Sequence, residues 1–230
     1  MKNIKIKLAT IGIIASTVAC KQTEKQSTAK LETLFKNSYD LKDVPTAITA
    51  VQLILAEDST HVLRDSLPSL YLAAQNFEAC LTLTNQALQR KPDNEELTKY
   101  KMISLEQLGK DDELLALSKK MFQKTGKVEF IYKQASAELL TGDFTSAETT
   151  INTMMDKFKN KPDSVDMMID QMRTQKVPVI AACWNMKGYM FIQTQKYREA
   201  AMAFQKAIQI YPDFIMARRN LDQLMQNFSR

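Results

Sequence analysis

Apolar residues recur along this chain at spacings of three and four, the period of one face of an α-helix. Leu31, Leu34 and Phe35 make a short face of this kind, and Ala47, Val51 and Ile54 make the next, with Asp43 placed to cap it and Pro45 in its first turn. The pattern is clearest from Cys183 to Phe214. There Trp184, Gly188 and Phe191 share one face, Lys196 and Tyr197 mark a turn, Ala200, Phe204 and Ala207 share a second face, and Pro212 stops the helix. A final amphipathic helix over 214–228 carries Ile215, Leu221, Leu224 and Met225 on one side and Arg218, Arg219 and Gln226 on the other. Between 162 and 180 the register breaks. Ser164 is placed to cap a short inserted helix over 163–174 bearing Val165, Met168, Ile169 and Met172, and Pro178 fits the first turn of the next helix.

The helix pairs repeat at about 34 residues. With Ala181 as position 1, Trp184, Gly188, Phe191, Tyr197, Ala200, Phe204, Ala207 and Pro212 stand at 4, 8, 11, 17, 20, 24, 27 and 32, with Lys187 at position 7. This spacing resembles the tetratricopeptide repeat, which usually has Leu at position 7. The physical reason is mutual: small residues at 8, 20 and 27 let two helices approach, and large ones at 4, 11 and 24 fill the space around them. Residues 61–94 keep Leu67, Tyr71, Phe77, Ala87 and Pro92 at 7, 11, 17, 27 and 32, with Cys80 and Thr84 at 20 and 24. Pro68 falls where glycine is usual, so the first helix there is expected to kink or to start late behind Ser66. Repeats over 95–127 and 128–161 are looser, with turns at Gly109 and Gly142. The resemblance implies an all-α fold, a solenoid of antiparallel helix pairs over 30–230, closed by a capping helix at 215–229.

Composition agrees with a helical chain. The 230 residues are 45% hydrophobic and 25% charged, and they include 5 Gly and 6 Pro, too few breakers for a many-turned β fold. The formal net charge of +5 includes Lys2, Lys5 and Lys7 of a segment expected to be removed. The remaining +2 is too weak to argue for nucleic acid.

That segment, residues 1–19, runs from lysines through an apolar stretch, Leu8 to Val18, to small residues, the pattern of a secretory signal peptide. Thr17-Val18-Ala19-Cys20 resembles a bacterial lipoprotein processing box, which implies that Cys20 becomes the lipidated first residue. Lys21 in place of Asp resembles the sorting pattern that sends lipoproteins to the outer membrane. Residues 20–29 are polar and read as a lipidated cysteine with a flexible tether.

The chain offers little chemistry. It has one histidine, His61, at a helix start, and no metal-binding, phosphate-binding or nucleophile motif, so no catalytic residue, metal or cofactor is expected. Cys80 and Cys183 fall on core faces in distant repeats and read as buried free thiols. Acidic pairs at Glu95-Glu96 and Asp111-Asp112 start helices, where negative charge is favourable. Ten of the thirteen methionines lie from Met154 onward, and Met167, Met168 and Met172 of the insertion are expected to be partly exposed. In the tetratricopeptide family the first helix of each repeat lines a concave groove that binds a peptide or a partner helix. Carried onto this chain, the groove positions are Tyr132, Ser136, Leu139, Asn185, Tyr189, Ile192 and Gln193, with Asp65, Ser69, Leu72, Lys99, Ile103 and Glu106 in the earlier repeats. The resemblance thus implies an envelope scaffold that binds protein or peptide partners. A narrower form is an assembly factor for outer-membrane proteins or for pilus and secretion complexes.

Cells fed a clickable palmitate analogue are expected to label the wild-type protein and not Cys20→Ser. Equal labelling of the two would remove the lipid anchor from this reading.

Overall fold

The computed structural model describes residues 27–170 and 173–228, so Cys20, Met172 and the segment before residue 27 lie outside the described residues. The chain forms two compact units divided after Leu108. The first holds α1 (27–40), α2 (Val44–Glu57), a short 3-10 turn (Val62–Ser66), α3 (Leu67–Ala73), α4 (Phe77–Arg90) and α5 (Glu95–Gln107). The second holds α6 (Asp111–Thr125), α7 (Val128–Leu140), α8 (Phe144–Phe158), β1 (Ser164–Met168), β2 (Thr174–Pro178), α9 (Val179–Gln193), α10 (Tyr197–Ile210) and α11 (Ile215–Phe228). Helix is already present at residues 27–29, where the sequence pattern predicts a polar tether; the rest of that segment lies outside the described residues.

One turn recurs between paired helices. Its defining contact is a backbone N–H reaching back five residues: Asp43 to Ser38 (2.8 Å), Asn76 to Tyr71 (2.9 Å), Asp143 to Glu138 (3.0 Å) and Lys196 to Phe191 (2.8 Å). This is the Schellman closure, which satisfies a helix's last carbonyls and requires a left-handed residue just before the donor. That residue is Lys42, Gln75, Gly142 or Gln195, with φ of 59°, 56°, 77° and 60°, and Gly109 takes the same place at 64°. The positions 42, 75, 109 and 142 are 33 or 34 residues apart, so the turn between α1 and α2 keeps the spacing of the later ones. From 142 to 195 the interval is 53, the repeat plus the insertion.

In the first unit Ala47 and Val51 of α2 pack on Leu67 and Leu70 of α3, with Phe35, Tyr71 and Leu83 around them. Pro68 does make α3 start late: the chain enters through the 3-10 turn and leaves α3 only seven residues. Ser66 does not cap it. Its hydroxyl donates to the Leu63 carbonyl at 2.6 Å, within the preceding turn. Cys80 and Thr84 touch each other at 3.8 Å, with Thr84 at the repeat position that Phe204 holds in the repeat at 181–214.

In the second unit one cluster runs from Val128 and Ile131 of α7 through Ile151 and Met154 of α8 to Ala182, Met186 and Ala217 of α9 and α11. Glu138 stands where the repeat usually has an aromatic residue. It is buried and accepts from Gln134 Nε2 at 2.9 Å, which also donates to Thr150 at 3.2 Å, so a polar link replaces ring packing between α7 and α8. Between α9 and α10 the spacing is set by Gly188. A Cβ there would lie 2.4 Å from the ring of Phe204, well inside van der Waals contact.

The inserted segment is not a helix. Residues 164–168 and 174–178 pair as an antiparallel hairpin, with Val165 opposite Val177 and Met167 opposite Gln175. Val165, Met167 and Val177 are buried in the α7–α9 cluster, whereas Met168 is 47% exposed. A turn held by Asp170, whose carboxylate accepts from the Arg173 backbone N–H at 3.0 Å and from Nε at 2.8 Å, closes it. Alternation, not a period near four, is what buries Val165 and Met167 together. Ser164 therefore opens a strand, and Pro178 immediately precedes α9.

Gly188→Ala is expected to destabilise the chain by about 1–3 kcal/mol through overpacking against Phe204. Gln195→Gly relieves a left-handed backbone and is expected to gain up to about 1 kcal/mol. Urea denaturation measures both, and a neutral Gly188→Ala would refute the close approach of α9 and α10.

Candidate functional site

In the C-terminal unit, α9 and the capping helix α11 leave a groove of about 620 Å³ between them. Tyr189 and Ile192 of α9 form one side, Asn220, Gln223, Leu224 and Asn227 of α11 the other, and Tyr197 at the start of α10 one end. The spacing explains the geometry. Tyr189 and Ile192 are three residues apart on α9, as are Asn220 and Gln223 on α11, so each pair shares a helix face. None of the seven lining side chains carries a formal charge. Asn185, 6% exposed, lies one turn below Tyr189 and accepts from Asn220 Nδ2 at 2.9 Å, tying the two walls together.

The expected groove residues divide. Asn185, Tyr189 and Ile192 come together here, with Tyr189 37% exposed. Gln193 is exposed at the end of α9 but does not line the groove. Leu139 is a correction: at 7% exposure it belongs to the hydrophobic cluster between α7 and α8, because its helix turns that face inward. Tyr132 is partly buried against the same cluster, and Ser136 is half-buried. The amides of α11 were missed by the repeat pattern, although Asn220, Gln223 and Asn227 at intervals of three and four are a legible stripe.

Two departures around α9 have local causes. Lys187, in place of the usual leucine, holds its ammonium 5.6 Å from the Trp184 ring centroid, a cation–π contact on a half-buried indole. Cys183 is fully buried, and burial pushes its thiol up to about 12 against the opposing pull of Lys187, so it is no nucleophile at neutral pH. Cys80 is buried too, and both thiols are free. His61 joins the 3-10 turn, its Nδ1 accepting from the Leu63 N–H at 3.3 Å and Nε2 lying 3.1 Å from Glu32.

The first unit has a smaller cleft of about 230 Å³, where Asp65 and Ser69, two other expected groove positions, meet Lys91, Asn94 and Tyr100. Asp65 pairs with Lys91 at 2.5 Å and with Arg90 at 3.2 Å, and Tyr100 donates to Glu96. These charges satisfy one another. The Lys91 contact, ahead of Arg90, holds the Asp65 carboxyl below its usual range. Burial raises the Tyr100 hydroxyl, and Glu96 adds to that shift. Among the described residues no cluster of His, Cys, Asp and Glu is placed to hold a metal, and no helix is long and apolar enough to cross a membrane.

Residues 181–214 match the model of the tetratricopeptide repeat family, the same 34 residues that carry the spacing read from the sequence. Solved structures share the fold. A tetratricopeptide repeat protein from Parabacteroides merdae superposes with a TM-score of 0.65 at 12% identity, over 86% of this chain and 72% of its own. YrrB, described as a TPR protein with an unusual peptide-binding site, gives 0.57 at 13%, over 80% and 87%. MamA from Desulfovibrio magneticus RS-1 gives 0.53 at 14%, over 73% and 84%. Among curated proteins none is significantly similar in sequence. The class is therefore a tetratricopeptide-repeat fold of helix pairs with a terminal capping helix, here with a β-hairpin inserted before the repeat at 181–214.

Because the folded carboxyl of Asp65 is held low, its stabilising contribution is present above the unfolded value and is lost as pH falls through the folded one. Asp65→Asn is expected to cost only about 0.2–1 kcal/mol at pH 7, since the pair is partly exposed. The gap should close as the pH is lowered through the carboxylate range. A gap that widens in acid would reverse the sign of this linkage.

Proposed function

We propose that this protein is a non-catalytic scaffold that binds an extended segment of a protein partner in the groove between α9 and α11. The observation that carries the reading is the lining itself. Two tyrosines and two aliphatic side chains offer apolar area, and three amides offer both donors and acceptors, the complement of a peptide backbone. With no lysine or arginine lining it, the groove has nothing to select a terminal carboxylate, so an internal segment with uncharged side chains fits best. Tetratricopeptide folds serve as protein-interaction scaffolds, and the peptide-binding description of YrrB supports the same use. The signal-like N-terminus and Cys20 extend the proposal to a lipid anchor in the bacterial envelope, at the outer membrane by the Lys21 pattern.

A photo-crosslinking amino acid at Gln223 or Tyr189 is expected to capture a discrete partner in intact cells. The same group at Gln205, exposed on α10, is expected to capture none. Tyr189→Ala should weaken recovery by about tenfold or more while Tm stays put, as for a partly exposed hot-spot aromatic. Equal capture from Gln205, or full recovery with Tyr189→Ala, would take the groove out of the account.

A further inference from the structure

The capping helix lacks a cap of its own. Before α5, after Pro92-Asp93, stands Asn94, whose side chain accepts from the Leu97 N–H at 2.9 Å. At the same repeat position before α11, after Pro212-Asp213, stands Phe214. Its ring is fully buried, 6.2 Å from that of Tyr211, and has no acceptor to offer the first N–H groups of the helix.

The inserted hairpin supplies what is missing. Gln175 of β2 reaches the start of α11 across forty residues of chain, where its Oε1 accepts from the Ile215 N–H at 3.2 Å. Its Nε2 donates to the Asp213 carbonyl at 2.6 Å and lies 3.4 Å from the Tyr211 hydroxyl. One turn further along α11, Arg219 donates to the Ile169 carbonyl at the other end of the hairpin, at 3.0 Å. The next residue, Asn220, is the groove residue bonded to Asn185 of α9.

We propose that Gln175 is a positioning residue: the hairpin caps and pins α11 from outside and so sets its distance from α9, and with it the geometry of the groove. The hairpin stands where the repeat register is broken. That the groove binds a peptide is the reading given above, and this inference rests on it only for its consequence. The competing account is that Ala217 and Leu224, both buried, hold α11 by apolar packing alone, in which case Gln175 is dispensable.

Two ligand-free measurements on the full chain decide the matter. In hydrogen–deuterium exchange, Gln175→Ala is expected to lower protection over 215–220 by about tenfold, the scale of a lost cap, while α10 keeps wild-type protection. Thr174→Ala, exposed on the same strand, should match wild type. With 3-fluorotyrosine incorporated, and the Tyr189 resonance assigned from Tyr189→Phe, that resonance should shift in Gln175→Ala, although Tyr189 is not a partner of Gln175. Arg219→Met should give the same pattern more weakly, and it carries the test if Gln175→Ala does not fold. Unchanged α11 exchange, loss of protection spread through α10 as well, or a Tyr189 signal that stays in place while α11 frays would each overturn the proposal. A failure here leaves the cross-linking result standing, and a failure there leaves the cap standing.

Discussion

The C-terminal unit depends on one close approach: the ring of Phe204 resting on the bare backbone of Gly188. It brings α9 and α10 together, and it buries Ala200, Ala203 and Ala207 along the contact. Small residues are needed because every methylene added at such a crossing must displace a neighbour. With α10 seated in this way, α11 can lay Leu224 against Ala200 and Phe204 and leave its amide stripe facing α9. The groove follows from this apolar packing together with the polar ties that α11 makes to Asn185 and to the hairpin.

The hairpin changes what such a stack of helix pairs has to solve. An insertion between two helices exposes their ends and adds backbone groups that need partners. Here Val165, Met167 and Val177 fill space beside α7 and α9, and the polar remainder of the hairpin is used on α11. Phe214 can then be given to the core, where Asn94 in the earlier repeat is only half-buried and serves as a cap. The same repeat position thus serves burial in one place and hydrogen bonding in the other, and the difference is absorbed by a residue forty positions away.

The two clefts also differ in kind. Around Asp65 the charges of Arg90 and Lys91 are already paired, so a ligand would have to displace existing contacts. Between α9 and α11 the amides and the tyrosines surround open space. A neutral groove of this sort gains affinity through shape and backbone hydrogen bonds and depends little on ionic strength.

Much of this was legible in the residues alone. The positions of Trp184, Gly188, Ala200, Phe204 and Pro212 determine a helix pair because each reports a local requirement, an apolar period, a small crossing residue or a stop, that no distant contact can alter. The turns were legible where Gly109 and Gly142 mark them, and less so where Lys42, Gln75 and Gln195 adopt the same left-handed backbone without a glycine. The insertion was not legible. Val165, Met168, Ile169 and Met172 suit a helix by spacing, while Val165, Met167 and Val177 suit strands, and over so few residues neither period prevails. Only the surface offered by α7 and α9 selects the strand. The groove was half legible: repeat register places Tyr189 and Ile192, whereas Leu139 turns inward and the facing wall is built by α11. Which residue caps α11, and which amides face Tyr189, depends on contacts between segments some 30 to 40 residues apart, and these exist only once the helices have packed.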